Sequence, residues 1–169
     1  MKKWFTSLAL LMGLSTVAQA QIVISEIMFN PPESGTDSLE YIEIYNAGSS
    51  SVDLDGYYIT FGGTTVRDSF SGSFTLAAGE LVVTAVRDSA VQRQFSLGFL
   101  PRRWRNSAGL GNSGTTIRIH QANGTVIDSV AYLNSWQAQA NGLGTSLILC
   151  NPATDNNVST NWAASSAST

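Results

Sequence analysis

Glu40-Tyr41-Ile42-Glu43-Ile44-Tyr45-Asn46 is the stretch that decides the fold. In an extended chain successive side chains point to opposite faces, so Ile42 and Ile44 fall on one side and Tyr41, Glu43 and Tyr45 on the other. One side enters a core and the other stays wet. Ile22-Val23-Ile24-Ser25-Glu26-Ile27-Met28-Phe29 precedes it as a second β-rich run and ends at Pro31-Pro32, where neither residue can donate to a ladder.

Working outward, nearly every strong segment is short, β-branched or aromatic, and bounded by Gly, Asn, Asp or Ser, the signature of an all-β sandwich or barrel. Strands are predicted at 22–29, 39–46, 57–62, 66–70, 80–86, 115–121, 125–132 and 146–150. A single helical turn is expected at 89–95, with Asp88 as its cap and Val91 and Phe95 sharing a buried face. Asn123-Gly124 predicts a hairpin with a type I′ turn. Gly56 is expected to turn the chain before Tyr57 and Tyr58. A long polar loop is read at 106–114. No internal repeat is found.

The N-terminus has a different character. Met1-Lys2-Lys3, an apolar run over 8–14 and Ala18-Gln19-Ala20 make a cleavable secretory signal over 1–20, too short to span a membrane. A single domain over 21–164 follows, then a small-residue tail at 165–169 that resembles the start of a linker. The expected address is secreted, periplasmic or cell-surface, with no stable membrane insertion after cleavage. Cys150 is the only cysteine, so no internal disulfide forms, and its apolar neighbours Leu147, Ile148 and Leu149 suggest a buried side chain.

Both lysines of the chain lie in the leader, so its removal shifts the formal net charge from −3 to −5 and leaves only arginines as cations. That balance disfavours nucleic acid, whose nonspecific binding depends on cations that neutralise phosphates. Arg102-Arg103-Trp104-Arg105 is the local exception, three guanidiniums around an indole able to stack on a base or clamp a phosphate, but with no second basic cluster it is read as a solvated loop with Trp104 tucked against the core.

Taken in order, Ile24-Ser25-Glu26-Ile27-Met28-Phe29-Asn30-Pro31, then Glu40 to Asn46, then Val52-Asp53-Leu54-Asp55-Gly56-Tyr57 resemble the lamin tail domain. So do Leu76-Ala77-Ala78-Gly79-Glu80-Leu81-Val82-Val83, the segment from Gly124 to Tyr132 centred on Ile127-Asp128-Ser129-Val130, Gly144-Thr145-Ser146-Leu147 and a terminal Asn161-Trp162. The resemblance runs from Ile22 to about Trp162. Tyr57 stands where relatives often carry Trp. It implies an immunoglobulin-like β-sandwich, the fold that ends nuclear lamins and recurs in exported bacterial proteins, often beside a hydrolase or another surface module.

Candidate chemistry is sparse. Glu26, Glu40 and Glu43 are carboxylates that could bind a hard cation or act as an acid–base pair. Parity places Glu40 and Glu43 on opposite faces unless a bulge intervenes, and groups Glu26 with Ile22, Ile24 and Met28. Asp53-Leu54-Asp55-Gly56 has part of a calcium loop, but Ser51 and Gly62 occupy the positions of its first acid and its bidentate glutamate. Calcium is therefore considered without a complete motif, and no other cofactor is expected. His120 is the only histidine and has no activated nucleophile beside it in sequence. Gly109-Leu110-Gly111 sits in a polar loop, away from any strand-to-helix turn, and is not a phosphate loop. Trp104 and Trp136, with Arg102, Arg103 and Arg105, remain as binding candidates. The expected function is a non-enzymatic interaction or adhesion module, an accessory to a larger surface or secreted protein, with a protein or glycan partner at the cell surface. A carbohydrate-binding module stacking sugars on Trp104 or Trp136 is the alternative, and a small hydrolase the third reading.

Overall fold

A computed structural model describes residues 22–33, 37–105 and 109–166. The predicted signal over 1–20 and the last residues of the tail lie outside that range. Among the described residues twelve strands form three sheets. The first sheet contains β1 (Ile22–Met28), β2 (Tyr41–Asn46), β7 (Leu81–Ala85), β8 (Arg102–Arg103), β11 (Leu147–Leu149) and β12 (Trp162–Ala164), in the order β12-β11-β1-β2-β7-β8. The second contains β4 (Tyr58–Phe61), β5 (Val66–Ser69), β9 (Gly114–His120) and β10 (Val126–Leu133), in the order β10-β9-β4-β5. A small ribbon joins β3 (Val52–Asp53) and β6 (Thr75–Leu76). All pairings are antiparallel except β7 with β8, which the chain reaches through α1 (Asp88–Gln94). Among the described residues no helix is long and apolar enough to cross a membrane.

Alternation explains the core. Ile42 and Ile44 from β2, Ile59 and Phe61 from β4, Ile117 and Ile119 from β9 and Val130 and Tyr132 from β10 meet in one buried cluster. The sheets close on it, and removing each such side chain from water contributes on the order of 1.5–3 kcal/mol. A second, smaller cluster lies on the outer face of the first sheet, where Met28, Leu39, Tyr41, Val83 and Ala85 are covered by Val91 of α1, with Phe95 and Leu97 partly buried against them. Val91 and Phe95 thus share the face expected of them. The N-cap is Arg87, which makes no side-chain cap bond, and Asp88, expected as the cap, is instead the first residue of the helix.

β1 departs from regular alternation. Its pairing with β2 runs Ile24↔Ile44 and then Glu26↔Glu43, so Ser25 is an extra residue that shifts the register. Ile22 and Ile24 point into the main core before the shift, Ile27 and Phe29 after it, while Met28 belongs to the outer cluster. The expected grouping of Glu26 with Ile22 and Ile24 is corrected: the bulge puts Glu26 on the face of Met28 only. β10 carries a matching irregularity between Val126 and Asp128. Asp128, buried, accepts the Ile24 N–H at 2.7 Å and the Asn156 amide at 2.8 Å, and Asn156 in turn accepts the Trp162 indole N–H at 2.8 Å through its carbonyl.

Three further expectations are corrected. The hairpin at Asn123-Gly124 is a longer turn: Gly124 N–H donates to Gln121 and Gln121 N–H to Thr125, and only Gly124 takes a positive φ, at 89°. A type I′ turn would need positive φ at Asn123 as well. Cys150 is exposed, because Leu147 and Leu149 take the inward parity of β11 and leave the following residue outside. The segment 102–105 is a loop only in its second half, since Arg102 and Arg103 form β8, while Trp104 is tucked into the core as expected.

Replacing Asp128 by Ala leaves the buried Ile24 N–H without its acceptor and the Asn156 amide with only its 3.4 Å contact to the Ile24 carbonyl. The expected loss is about 3 kcal/mol in urea unfolding, with a smaller loss for Asp128→Asn, which keeps one acceptor oxygen. A loss below about 1 kcal/mol for Asp128→Ala would sink the assignment of this carboxylate as the lock on the bulge.

Candidate functional site

The carboxylates separate into two places, as parity required of Glu40 and Glu43. Glu26 and Glu43 are direct cross-strand partners on the outer face of the first sheet. Glu26 Oε1 accepts the Tyr41 hydroxyl at 2.5 Å and also the Ser146 hydroxyl. Glu43 Oε1 accepts the Ser25 hydroxyl at 2.6 Å, so the bulged residue serves the acid beside it. Burial, and next to it the charge of Glu26, raises Glu43 above the usual carboxylate range, while the Ser25 bond opposes the rise. The adjoining groove, about 230 Å³, is walled mainly by apolar residues including Val83, Val91, Phe95 and Phe99. Hydroxyl donors, not cations, hold this pair.

Glu40 precedes β2 and is wholly buried. Leu110 N–H donates to both of its oxygens at 3.0 Å. A Cβ on Gly109 would stand 2.4 Å from Glu40 Oε2, so this glycine is what lets the loop close over the carboxyl. The backbone at Gly109-Leu110 therefore receives a side-chain acid of the same chain. Burial pushes the Glu40 carboxyl up to about 8, with Asp37 and Glu33 adding repulsion and the Leu110 bond opposing it. Burial, together with Glu40, likewise raises the Tyr132 phenol, whose hydroxyl donates to the Gly111 carbonyl at 3.0 Å.

Above Glu40 opens a cleft of about 580 Å³ whose walls include Asp37, Arg87, Arg103, Trp104 and Arg105. Of the arginines nominated from sequence, Arg103 and Arg105 are exposed here, and Arg87 joins them from the end of β7. Arg102 is turned away: its guanidinium lies 4.5 Å over Phe70, pairs with Asp68 at 3.4 Å and donates to the Ser69 carbonyl at 3.0 Å. It clamps β8 to β5. Trp104 is only 3% exposed and meets Phe61 edge-on at 4.8 Å, so no ring face is open for stacking. Its Nε1–H is buried without an acceptor among the described residues, an omission that costs on the order of 1–3 kcal/mol. Trp136 is half-buried, packed on the core and tilted against Trp162 at 6.1 Å.

Asp53 and Asp55 form a turn. Asp53 Oδ1 accepts the N–H groups of Asp55 and Phe74 at 3.1 and 3.2 Å, and Gly56, at φ +76°, turns the chain against Ala122. Among the described residues no group of three or more His, Cys, Asp or Glu side chains lies together so as to hold a metal. His120 stacks on Tyr58 at 4.5 Å and its Nε2 lies 3.1 Å from the Thr60 hydroxyl.

The arginine cleft was partly legible in sequence through Arg103 and Arg105. Arg87 was missed, because it lies sixteen positions earlier and reaches the site only through the parallel β7–β8 pairing. The Glu40–Leu110 contact was missed for a similar reason, its partners being 70 residues apart.

The family model for the Lamin Tail Domain matches residues 15–134, and the chain belongs to this family. The matched region stops before β11 and β12, although these strands complete the first sheet beside β1. No curated protein matches the chain.

Glu40 makes stability pH-dependent with a definite sign. The folded state keeps a proton that the unfolded chain releases near 4.5, so stability present below that pH is lost as pH rises toward about 8. Thermal or urea unfolding of the wild type relative to Glu40→Gln should fall with pH across this window, with a slope approaching about 1.4 kcal/mol per unit. A flat difference would refute it. With Asp53 committed to its own turn, the midpoint of thermal unfolding should be the same, to about one degree, in chelator and in millimolar calcium.

Proposed function

We propose that this chain is an exported, non-catalytic interaction module of lamin-tail type, acting as an adhesive or accessory domain of a surface or secreted protein. The observation that carries the reading is the commitment of its acids. Glu26 and Glu43 are held by hydroxyls in the fold, Glu40 is sealed under Gly109, Asp128 locks the β1 bulge and Asp68 anchors Arg102. Catalysis needs an acid, base or nucleophile within reach of substrate, and these groups instead serve neighbouring strands. His120, the one histidine, is stacked on Tyr58. The leader-like pattern over 1–20 supports export, and the −5 charge that follows its removal argues against the chromatin partners of nuclear relatives.

A carbohydrate module that stacks sugars on Trp104 finds little support, since that ring is in the core. Of the two rings nominated for stacking, that leaves the half-buried Trp136. Purified domain should show no turnover on a panel of polysaccharide, ester and nucleic-acid substrates. Robust turnover that disappears in Glu26→Gln or Glu43→Gln, with unchanged folding, would overturn the reading.

A further inference from the structure

We propose that the cleft bounded by Arg87, Arg103 and Arg105 binds a carboxylate-bearing sugar, a uronic acid or short oligouronide. The inference rests on the reading of this domain as a binding module and gives that module a ligand class.

Three of the chain's seven arginines gather here because of topology. In the parallel pairing of β7 and β8, Thr84 lies opposite Arg102 and Ala85 opposite Arg103, and Arg87 and Arg105, each two residues further along its chain segment, line the same cleft. All three are exposed, and among the described residues the one ion pair is Arg102 with Asp68, outside this group. The cleft, at about 580 Å³, has the volume of a small-ligand site. Trp104 lines it too, and the Trp104 Nε1–H is a buried donor without an acceptor. Donors are therefore in excess at the rim, where the guanidiniums stand, while the indole N–H lies out of solvent behind the wall.

Such a site calls for an anion with planar oxygens, which a guanidinium fork meets bidentately. The negative groups select among anions. Asp37 stands in the same wall, and the domain as a whole is acidic, so a polyphosphate or a phosphomonoester, whose charge is concentrated on one group, meets repulsion that carboxylates spaced one to a sugar ring largely avoid. Asp37 also offers acceptor oxygens, which suit the hydroxyls of a sugar ring. A ligand carrying one carboxylate and several hydroxyls on each ring matches both sets. An acidic peptide matches only the first.

Calorimetric titration with trigalacturonate and with its neutral methyl ester tests the assignment. Binding of the acid is expected, with the ester at least about tenfold weaker. Arg105→Ala should weaken binding of the acid about tenfold, whereas Arg93→Ala, an equal loss of charge on the exposed side of α1, should leave it unchanged. Equal affinity for acid and ester, equal effects of the two arginine variants, no binding at millimolar ligand, or tighter binding of inorganic phosphate or a hexaglutamate peptide would each overturn the proposal. Release of new reducing ends from trigalacturonate would instead overturn the non-catalytic reading and leave the site assignment standing.

Discussion

A single extra residue in β1 sets the terms for the rest of the domain. A strand has only two faces, so inserting Ser25 moves every later side chain to the opposite face unless something holds the irregularity in place. The holding group is Asp128, from the opposite sheet. It takes the Ile24 N–H and is itself gripped by Asn156, whose carbonyl is tied to Trp162. A buried backbone donor without such a partner would cost about as much as a lost hydrogen bond, and an unpaired buried carboxylate more. Each group thus removes the penalty of the other. Because the lock joins β1, β10 and the segment leading to β12, it also explains why strands beyond the family match belong to the same domain.

The bulge has a second effect, on the outer face. Placing Glu26 there beside Glu43 brings two acids together without a cation, an arrangement that Coulomb repulsion opposes. Three hydroxyls, from Tyr41, Ser146 and Ser25, replace the water these oxygens would otherwise bind. Burial raises Glu43, and the second acid adds to that rise, which is the response expected when two carboxylates share a partly dry surface. The same face carries the small cluster under Val91, so the pair closes one edge of an apolar patch.

Much of the fold was legible in the sequence because eight of the strands carry their own alternation and their own turn residues. The pairs Ile42/Ile44 and Ile117/Ile119 announced their inward faces directly. What could not be read was whatever depends on partners distant along the chain. β3, β6 and β8 are two residues long and have no period, and β12 three, so only a neighbouring strand defines them. The bulge leaves no mark at Ser25, an ordinary polar residue in an otherwise regular run. Gly124 signalled a turn, but its type depends on the φ of Asn123, which the dipeptide does not fix. For the site, Arg103 and Arg105 announced themselves as a charge cluster, while Arg102, adjacent to them, belongs to the interior clamp. Alternation in β8 separates these neighbours, and alternation was invisible until the segment was known to be a strand.

Glu40 and the arginines above it show how depth decides electrostatics in this cleft. Three guanidiniums near a carboxyl would ordinarily hold it ionised, yet Glu40 stays protonated up to about pH 8. Arg103 and Arg105 are at the surface, where water and salt screen them, whereas the acid lies wholly out of solvent. Its nearest charges of consequence are Asp37 and Glu33, which push the same way as burial. The outcome is a neutral floor beneath a cationic rim. Had Glu40 been ionised, it would have cancelled much of the field that Arg87, Arg103 and Arg105 present to an incoming anion. The close approach of Gly109 that buries Glu40 therefore keeps the loop in place and the cleft positive near neutral pH, although the domain carries a net negative charge.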